Sequence, residues 1–225
     1  MNHTPFPPEP WHLRGTMHMA VWRIPAAELP EWPLPPGVRP LTLGRHGCVV
    51  TFWVDYLPGG TLAYRELLVA QAVRHRRTVA ATAVAAWVDS ERSQAGGRTL
   101  WGIPKQLAVF DFPDPEPSAG VHGPFQLYDD TGSGRPAVTG RHRTRFRLPG
   151  RWFLPGRLVQ PGPDGTPREV PLRLTASVSI GTASLTAAPD SPLSFLNGRR
   201  PLLALTADGF RFTVGCRPSA RRSTP

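Results

Sequence analysis

The sequence predicts a mainly β domain, and two observations carry this prediction. The chain of 225 residues contains 28 prolines and 22 glycines, which interrupt it every few residues and leave little room for long helices. Between the interruptions lie short apolar or alternating segments of the kind that form strands joined by turns. A hydrophobic content of 40% in a chain of this length suits one domain with a sizeable core. We expect a flexible N-terminus over residues 1–10, a single domain over 11–216 and a disordered tail over 217–225.

The first half of the chain contains three candidate strands and one ambiguous segment. Residues 17–24, MHMAVWRI, alternate like a strand, and residues 47–57 form an apolar run that stops at the turn 58–60. Residues 78–90 have the composition of a further strand. Between them, the apolar residues of 61–73 fit a helix about as well as a strand, and propensity alone favours the helix.

Residues 89–97, DSERSQAGG, form the one compact helix motif. Ser90 can cap the free backbone N–H groups of the first turn, and Gly96 with Gly97 can take the left-handed conformation that ends a helix. We interpret residues 101–112, WGIPKQLAVFDF, as a strand that follows directly.

The second half of the chain predicts three strands and two turns. Apolar segments occupy residues 151–160, 168–180 and 200–215. PDGTP at 163–167 and NG at 197–198 are hairpin-type turns between them.

The net charge of +10 and a pI near 11.2 raise nucleic acid as a partner. The densest basic runs are RHRR at 74–77 and RHRTRFR at 141–147. On a strand, four arginines of the second run would share one face: Arg141, Arg143, Arg145 and Arg147. No aromatic-interleaved binding motif accompanies them, so we interpret the run as a solvated edge and expect no nucleic-acid partner.

The remaining composition narrows the compartment. The two cysteines, Cys48 and Cys216, form no disulfide framework and have no metal-ligand spacing around them. The N-terminus has no apolar signal region, and no run of 18 uncharged apolar residues occurs. We therefore expect a soluble, cytoplasmic protein with no membrane partner and no bound metal.

Lys105 is the only lysine among the 26 lysines and arginines of the chain. In a strand over 105–112 its side chain shares a face with the apolar Leu107 and Val109. Burial lowers the pKa of an ammonium group, and a neutral lysine in a closed pocket can form a Schiff base with a ketone. From the residues alone, a surface or snorkelling lysine at a strand end remains the alternative.

Four motifs occur in the order and at about the spacing of the acetoacetate decarboxylase superfamily: YRELL (64–68), VDS (88–90), GGR (96–98) and WGIPK (101–105). The chain resembles this family over roughly residues 10–216. The resemblance implies a mainly β fold, a cone-like closed β-barrel with flanking strands and short helices, whose interior is an apolar pocket around a Schiff-base lysine. It also implies that residues 61–73 form a strand.

By this resemblance, Lys105 is the Schiff-base lysine and Glu66 is a catalytic acid that relays a proton. The resemblance also places five residues around the substrate: Arg14, Tyr64, Arg98, Trp101 and Gln106. It implies no cofactor, a small oxo acid as the partner and a homo-oligomer. The residues leave two alternatives open: Glu66 as a buried salt-bridge partner of Arg98 or Arg14, and Arg98 as an anchor of the helix end.

Two departures from the family bear on the reaction. Gln106 stands where the decarboxylases have a second lysine, and Thr51 is the nearest position to an additional acidic residue that they carry before the Y-x-E motif. Adjacent strand residues face opposite ways, so the loss at position 106 leaves Lys105 able to react if burial depresses its pKa.

Three functions follow as hypotheses. The first is a Schiff-base lyase, in its simplest form a decarboxylase of a 3-oxo acid. The second is an aldolase-dehydratase or cyclase acting on a larger oxo-acid or polyketide-like biosynthetic intermediate, which the two departures and the abundance of arginine favour. The third is a non-catalytic binder of a small apolar ligand or a polyanion.

Overall fold

The computed structural model describes residues 4–113, 120–128 and 134–216, and these are mostly strands. Within these ranges it has one α-helix, α1 (Glu91–Trp101), and single-turn 3-10 helices at Ala26–Glu28 and Ser194–Leu196. The strands are β1 (Trp11–Pro25), β2 (Val38–Pro40), β3 (Thr42–Leu43), β4 (His46–Tyr56), β5 (Tyr64–His75), β6 (Thr78–Val88), β7 (Lys105–Leu107), β8 (Val109–Asp111), β9 (Val121–Tyr128), β10 (Val138–Arg147), β11 (Trp152–Pro161), β12 (Pro167–Ala187) and β13 (Leu203–Val214).

Seven strands close into a barrel in the order β11-β6-β5-β4-β1-β13-β12, because β12 pairs back with β11. Neighbours are antiparallel except β11 and β6, which run parallel and whose one β-bridge among the described residues joins Leu158 and Ala81. Of the six flanking strands, β2, β3 and β7 pair with barrel strands, whereas β10, β9 and β8 extend the sheet from β12. The predicted mainly β closed barrel with flanking strands and short helices is confirmed.

Alternation along the barrel strands separates two apolar cores. On β4, Val54 and Tyr56 pack inside the barrel, whereas Trp53 packs in a second core with side chains of β9 and β10. Thr51 lies on the same face as Trp53 and accepts a hydrogen bond from Trp22 Nε1 at 3.0 Å. The position that we matched to the family's additional acid therefore faces away from the barrel interior.

The segment that was ambiguous in sequence is strand β5, as the resemblance implied. It pairs with β4 on one side and β6 on the other, and it is buried on both faces. A strand covered on both faces carries a nearly continuous apolar run, which periodicity cannot distinguish from a buried helix. The segment therefore forms a strand, because pairing with β4 and β6 outweighs its helical propensity.

Helix α1 begins as predicted but ends later. The Ser90 side chain accepts a hydrogen bond from the Ser93 backbone N–H at 3.3 Å and caps the first turn. The helix then continues to Trp101 and ends at Gly102, which adopts a left-handed conformation with φ of 68°.

Gly96 and Gly97 lie inside the helix, so their predicted role as its end is wrong. A Cβ atom at Gly96 would lie 2.4 Å from the Trp11 ring, and one at Gly97 would meet the stem of Lys105. These glycines allow the helix backbone to approach the barrel closely, which explains why glycine occupies both positions.

The single strand predicted over residues 101–112 is wrong. Strand β7 pairs in parallel with β6, whereas β8 pairs with β9, so the chain changes partners after Leu107. Leu107 and Val109 are exposed, although Lys105 is buried. The apolar surroundings of Lys105 therefore come from the barrel interior and not from neighbours on its own strand.

The arginine run on β10 does not form one continuous face. Arg141 and Arg143 alternate with buried residues, but the register against β12 shifts between Thr144 and Phe146. A bulge of this kind interrupts alternation, so the predicted shared face does not extend in register to Arg147.

The turn at 163–167 joins β11 to β12 as predicted, whereas NG at 197–198 is part of a longer connection between β12 and β13. The predicted domain boundaries stay predictions. Residues 4–10 contact the domain, for example where Trp11 Nε1 donates to Pro7 O at 2.9 Å. The predicted tail, 217–225, lies outside the described residues. Among the described helices, none is long and apolar enough to cross a membrane.

Candidate active site

The barrel interior contains a cavity of about 460 Å³. Most of its lining is aliphatic or aromatic, and it comes from all seven barrel strands together with α1 and β7. Four buried side chains that line it carry polar groups able to act on a ligand: Tyr56, Tyr64, Glu66 and Lys105. Arg157 also lines the cavity, but its side chain is 45% exposed. Apart from Arg157, the polar groups therefore collect at the buried end.

Lys105 lies at the centre of the polar group. Its Nζ is 2.8 Å from Glu66 Oε1, and the two side chains are 2% and 4% exposed. The ammonium also donates to Ser93 Oγ at 2.9 Å and to the Tyr64 hydroxyl at 3.3 Å. Three oxygen partners use all three N–H groups of the lysine and fix the position of its nitrogen.

Two elements hold Lys105 in this place. Strand β7 pairs with the edge of β6, where Lys105 lies opposite Ala86. Helix α1 lies over the same edge, and Arg98 Nε donates to the Lys105 carbonyl at 2.6 Å. Arg98 thus links the last turn of the helix to the start of β7, as the helix-end alternative proposed.

Glu66 is held by the neighbouring barrel strand as well as by the lysine. The Tyr56 hydroxyl donates to Glu66 Oε2 at 3.1 Å. Tyr56 and Tyr64 are cross-strand partners on β4 and β5, and their ring centroids are 4.4 Å apart. Both carboxylate oxygens of Glu66 are therefore occupied, one by a cation and one by a phenol.

The electrostatics of the site differ from the prediction for Lys105. Burial acts to lower the pKa of Lys105, but the charge of Glu66 and the interactions with Tyr64 outweigh it, so the pKa lies above its ordinary value. Burial, with the Glu66 charge second, raises the pKa of Tyr64 to about 12 and that of Tyr56 well above its ordinary value. In the resting site the lysine is charged and both phenols are neutral.

The structure brings only some of the predicted site residues together. Lys105, Glu66 and Tyr64 are in mutual contact, and the Trp101 ring lines the cavity while its indole N–H donates to Glu9 Oε2 at 2.9 Å. Trp101 therefore offers a ligand only its apolar surface.

Arg14, Arg98 and Gln106 are exposed, and none of them lines the cavity. Alternation explains two of these positions, because Leu13 and Lys105 face inward and their neighbours Arg14 and Gln106 face outward. The predicted contacts of these residues with substrate therefore have no support in the geometry. Glu66 pairs with Lys105, so its alternative pairing with Arg98 or Arg14 is wrong.

Sequence reasoning missed two residues of the site, Ser93 and Tyr56. Ser93 is fully buried, and its contact with Lys105 depends on how α1 is rotated against the barrel, which the helix motif does not define. Tyr56 could have been found, because it precedes the turn to Tyr64 and a hairpin places the two side by side.

Within the described ranges, no cluster of three or more histidine, cysteine, aspartate or glutamate side chains is arranged to hold a metal ion. The described site contains an amine, a carboxylate that can exchange a proton with that amine, and an apolar cavity that both groups line. This set is suited to covalent chemistry on a carbonyl compound.

Comparison with known proteins gives one family match. The model of the family described as acetoacetate decarboxylase (ADC) matches residues 2–124, which is more than half of the chain and includes Glu66 and Lys105. None of the curated protein sequences gives a significant match.

Three similar solved structures share the fold over nearly the whole chain. An acetoacetate decarboxylase from Legionella pneumophila subsp. pneumophila str. Philadelphia 1 has a TM-score of 0.67 at 19% identity, covering 96% of this chain and 88% of that one. The enduracididine biosynthesis enzyme MppR complexed with pyruvate gives 0.60 at 21%, covering 93% and 88%. An acetoacetate decarboxylase-like enzyme from Sphingomonas wittichii RW1 gives 0.58 at 19%, covering 92% and 91%.

Proposed function

The chain belongs to the acetoacetate decarboxylase family, and from this premise we propose that it is a lyase that forms a Schiff base between Lys105 and an oxo acid. Decarboxylation of a 3-oxo acid is the simplest form of this reaction. The observation that carries the proposal is the environment of the only lysine, which is buried at the end of an apolar cavity with Glu66 2.8 Å away.

Glu66 supplies the base that the first step needs. Only a neutral amine attacks a carbonyl group, and the raised pKa of Lys105 means that its proton must be removed. Glu66 Oε1 already accepts a hydrogen bond from Nζ, so the proton can move along an existing contact. The transfer replaces two buried charges by two neutral groups, so the burial that disfavours charge lowers the free energy needed to reach the neutral pair.

The covalent steps then follow from the same pair. Nζ attacks the ketone carbon, the carbonyl oxygen takes up protons and leaves as water, and a protonated iminium remains on Lys105. The bond between C2 and the carboxyl carbon breaks, its electron pair moves to the iminium, and carbon dioxide leaves. Protonation of the enamine at C2 and hydrolysis by water release the ketone and restore the lysine.

The cavity lining favours the loss of carbon dioxide. Among the described residues that line it, the cations are Lys105, which becomes the iminium, and Arg157, which is bound to Glu169 at 2.6 Å near the exposed end. No described arginine therefore lies close enough to Lys105 to bind a substrate carboxylate there. The negative charge of that carboxylate is less well solvated in the cavity than in water. Loss of neutral carbon dioxide removes this charge, so the apolar lining favours it.

Condensation is the second candidate, and two observations favour it. The cavity of about 460 Å³ leaves room for a second reactant beside a small oxo acid. MppR, which has the same fold, is solved with the condensation product of pyruvate and imidazole 4-carboxaldehyde. The iminium on Lys105 would then lose a proton to Glu66 and attack an aldehyde as an enamine.

Borohydride trapping tests the proposal. Incubation with a panel of 3-oxo acids, pyruvate and diketones, followed by borohydride, should leave one reduced adduct, which peptide mass mapping locates on Lys105. The N-terminal amine is the competing site, and the peptide map separates the two. Carbon dioxide release identifies decarboxylation, and a new C–C bond in the product identifies condensation.

Lys105→Arg is the matched control, because a guanidinium keeps the charge but does not become a nucleophile. It should abolish both adduct and turnover. If wild type gives no adduct with any member of the panel and Lys105→Arg retains activity on a substrate found by other means, Schiff-base catalysis is wrong and a non-catalytic binder becomes the better hypothesis. Homo-oligomer formation and a cytoplasmic location stay predictions.

A further inference from the structure

The cavity is much larger than the part of a substrate that reacts. A cavity of about 150 Å³ in another protein holds a benzene molecule, whereas this one has about 460 Å³. The reacting part of a 3-oxo acid, its ketone and its carboxyl group, comprises only a few heavy atoms. The reacting groups therefore fill only a small part of the chamber.

The polarity of the lining changes along the cavity. At the buried end lie Lys105, Glu66 and the two tyrosines already described. The rest of the chamber is lined mainly by small or aliphatic side chains from five barrel strands, among them Met19, Leu68, Ala81, Leu174 and Leu205. These side chains offer no hydrogen bond to a ligand, so they favour a hydrocarbon group.

The apolar lining continues to the surface at the seam between β6 and β11. Among the described residues, Leu158 and Ala81 form the one β-bridge between these strands. Toward Gln160 the wall is closed by hydrogen bonds, from Thr82 Oγ1 to Val159 O at 2.9 Å and between the Gln160 side chain and the Ala83 backbone.

Toward Val79 and Leu154 no further bridge joins the described strands, so the wall lacks backbone pairing on that side. Val79 on β6 and Leu154 on β11 line the cavity and are 58% and 37% exposed. Exposed apolar side chains on both edges of an opening are typical of a path for an apolar ligand.

We propose that the substrate is a 3-oxo acid with a long unbranched or aromatic hydrocarbon chain, which lies between the Lys105 end and the seam of β6 and β11. This inference rests on the proposed Schiff-base function and adds the class of substrate. The ketone and carboxyl group occupy the polar end, and the hydrocarbon chain occupies the apolar chamber. A four-carbon acid would leave that chamber without a ligand.

The expected chain-length dependence follows from the apolar area that the chain buries. Each additional methylene buried in the chamber should raise kcat/KM about fourfold. The series 3-oxobutanoate, 3-oxohexanoate, 3-oxooctanoate and 3-oxodecanoate adds six methylenes, so we expect a total rise of about 10³- to 10⁴-fold when all six are buried. The measurement is initial rate of carbon dioxide release at several concentrations of each acid, with borohydride trapping of each in parallel.

Two variants test the location of the chain. Ala81→Leu narrows the chamber beside the seam and should reduce the ratio of kcat/KM for 3-oxodecanoate to that for 3-oxobutanoate at least tenfold. Val79→Asn places a polar group at the exposed rim, where folding does not depend on it, and should also lower that ratio. Ala27→Leu, an exposed substitution of the same kind outside the cavity, is the control and should leave the ratio unchanged.

The outcomes separate this inference from the function on which it rests. Equal or higher kcat/KM for 3-oxobutanoate would overturn the long-chain substrate while leaving the lyase intact. A rise with chain length that Ala81→Leu and Val79→Asn both leave unchanged would place the chain elsewhere and overturn the assignment to this chamber. If no acid is turned over or trapped, the lyase proposal fails. Calorimetric titration with 1-decanol and 1-butanol then tests the chamber alone, and equal binding of the two would exclude it as a chain site.

Discussion

Gly97 lies directly against the stem of Lys105, so that a Cβ atom at position 97 would be 2.7 Å from both Cδ and Cε of the lysine. A free lysine side chain could move aside at little cost. Here its nitrogen is held by Glu66, Ser93 and Tyr64, so the stem cannot shift without weakening those contacts. The glycine in the middle of α1 therefore sets the position of the nucleophile.

Gly97→Ala should impair chemistry more than stability. Alanine normally favours a helix over glycine by about 0.5–1 kcal/mol, which offsets part of the steric cost, so we expect a small change in Tm. Displacement of Nζ should lower the rates of adduct formation and turnover at least about tenfold. Thr99→Ala, an exposed change in the same helix, is the control. Unchanged rates in Gly97→Ala would show that the Lys105 stem is free to move.

Glu66→Gln should have different effects on turnover and on attack of the amine on a carbonyl group. The amide has the same size but neither accepts the lysine proton nor neutralises its charge. Without the negative charge, burial becomes the dominant influence and the pKa of Lys105 falls. We therefore expect kcat to fall by about 10²- to 10⁴-fold, while borohydride trapping with a diketone extends to lower pH than in wild type.

The control for Glu66→Gln is Glu91→Gln, an exposed carboxylate on α1 outside the cavity. Thermal melting of each variant accompanies the trapping experiment over a range of pH. Normal turnover in Glu66→Gln with a large fall in Tm would make Glu66 a structural partner of Lys105 and remove it from the mechanism.

Lys105→Met alone should destabilise the protein, although an apolar chain in place of a buried amine would ordinarily be tolerated. The structure shows why: Glu66 would keep the hydrogen bond from Tyr56 but lose its cation at 2.8 Å. Breaking a buried ion pair from one side costs about 3–5 kcal/mol. Urea unfolding at neutral pH should show a loss of this order in the single variant.

The double variant Lys105→Met/Glu66→Gln tests the cause of that loss. It removes both charges, so most of the lost free energy of unfolding should return. A double variant as unstable as Lys105→Met, or a single variant as stable as wild type, would show that the charge of Glu66 is satisfied without the lysine.

How much of this site the sequence predicts depends on how local the determinants are. Strands β1, β4 and β6 follow from their own composition, and the spacing of the motifs brings Glu66 and Lys105 together by resemblance. Ser93 and Gly97 could not be assigned, because their roles depend on how helix α1 is rotated against the barrel. The sign of the Lys105 pKa shift was missed for a different reason: burial alone predicts a fall, and it is the ion pair with Glu66, first among the opposing causes, that reverses it.

Two further predictions were wrong because a strand pattern in the sequence does not continue as one strand in the structure. Residues 101–112 have one apolar character but belong to a helix end and two strands with different partners. The arginines of β10 alternate only as far as the bulge after Thr144. Pairing partners and bulges are set by the tertiary structure, which local composition does not contain.

The same bulge leads to a prediction about nucleic acid. Because the arginines of 141–147 do not share one face, we expect weak binding of labelled duplex and single-stranded oligonucleotides at physiological salt. Arg143→Gln should change this binding no more than Arg39→Gln, an exposed arginine on β2. Submicromolar affinity with a steep salt dependence, lost on mutation of Arg143, would contradict this prediction.

A second group of ionisable side chains, two of them buried and one half-buried, lies outside the barrel interior. The rings of His18 and His122 are 4.6 Å apart, and those of His18 and His142 are 5.3 Å apart. Burial is the largest cause that lowers the pKa of each, and for His18 and His142 a neighbouring histidine adds to it. Asp208 and Arg147 are the other charged groups nearby, and burial raises the pKa of Asp208.

This cluster should make folding stability fall with acid. In the folded state the pKa of His142 is lowered to about 3, whereas an unfolded histidine titrates near 6.5. Below pH 6.5 the unfolded chain therefore binds a proton that the folded chain does not, and stability is lost as the pH falls toward the folded pKa. At pH 5 the cost for His142 alone is about 2 kcal/mol.

His142→Asn should lose that much less free energy of unfolding between pH 7.5 and 5 than wild type, as measured by urea unfolding at each pH. His12→Asn, on an exposed part of β1, should follow wild type. If the pH dependence of His142→Asn also follows wild type, the acid sensitivity has another origin and the cluster does not control it.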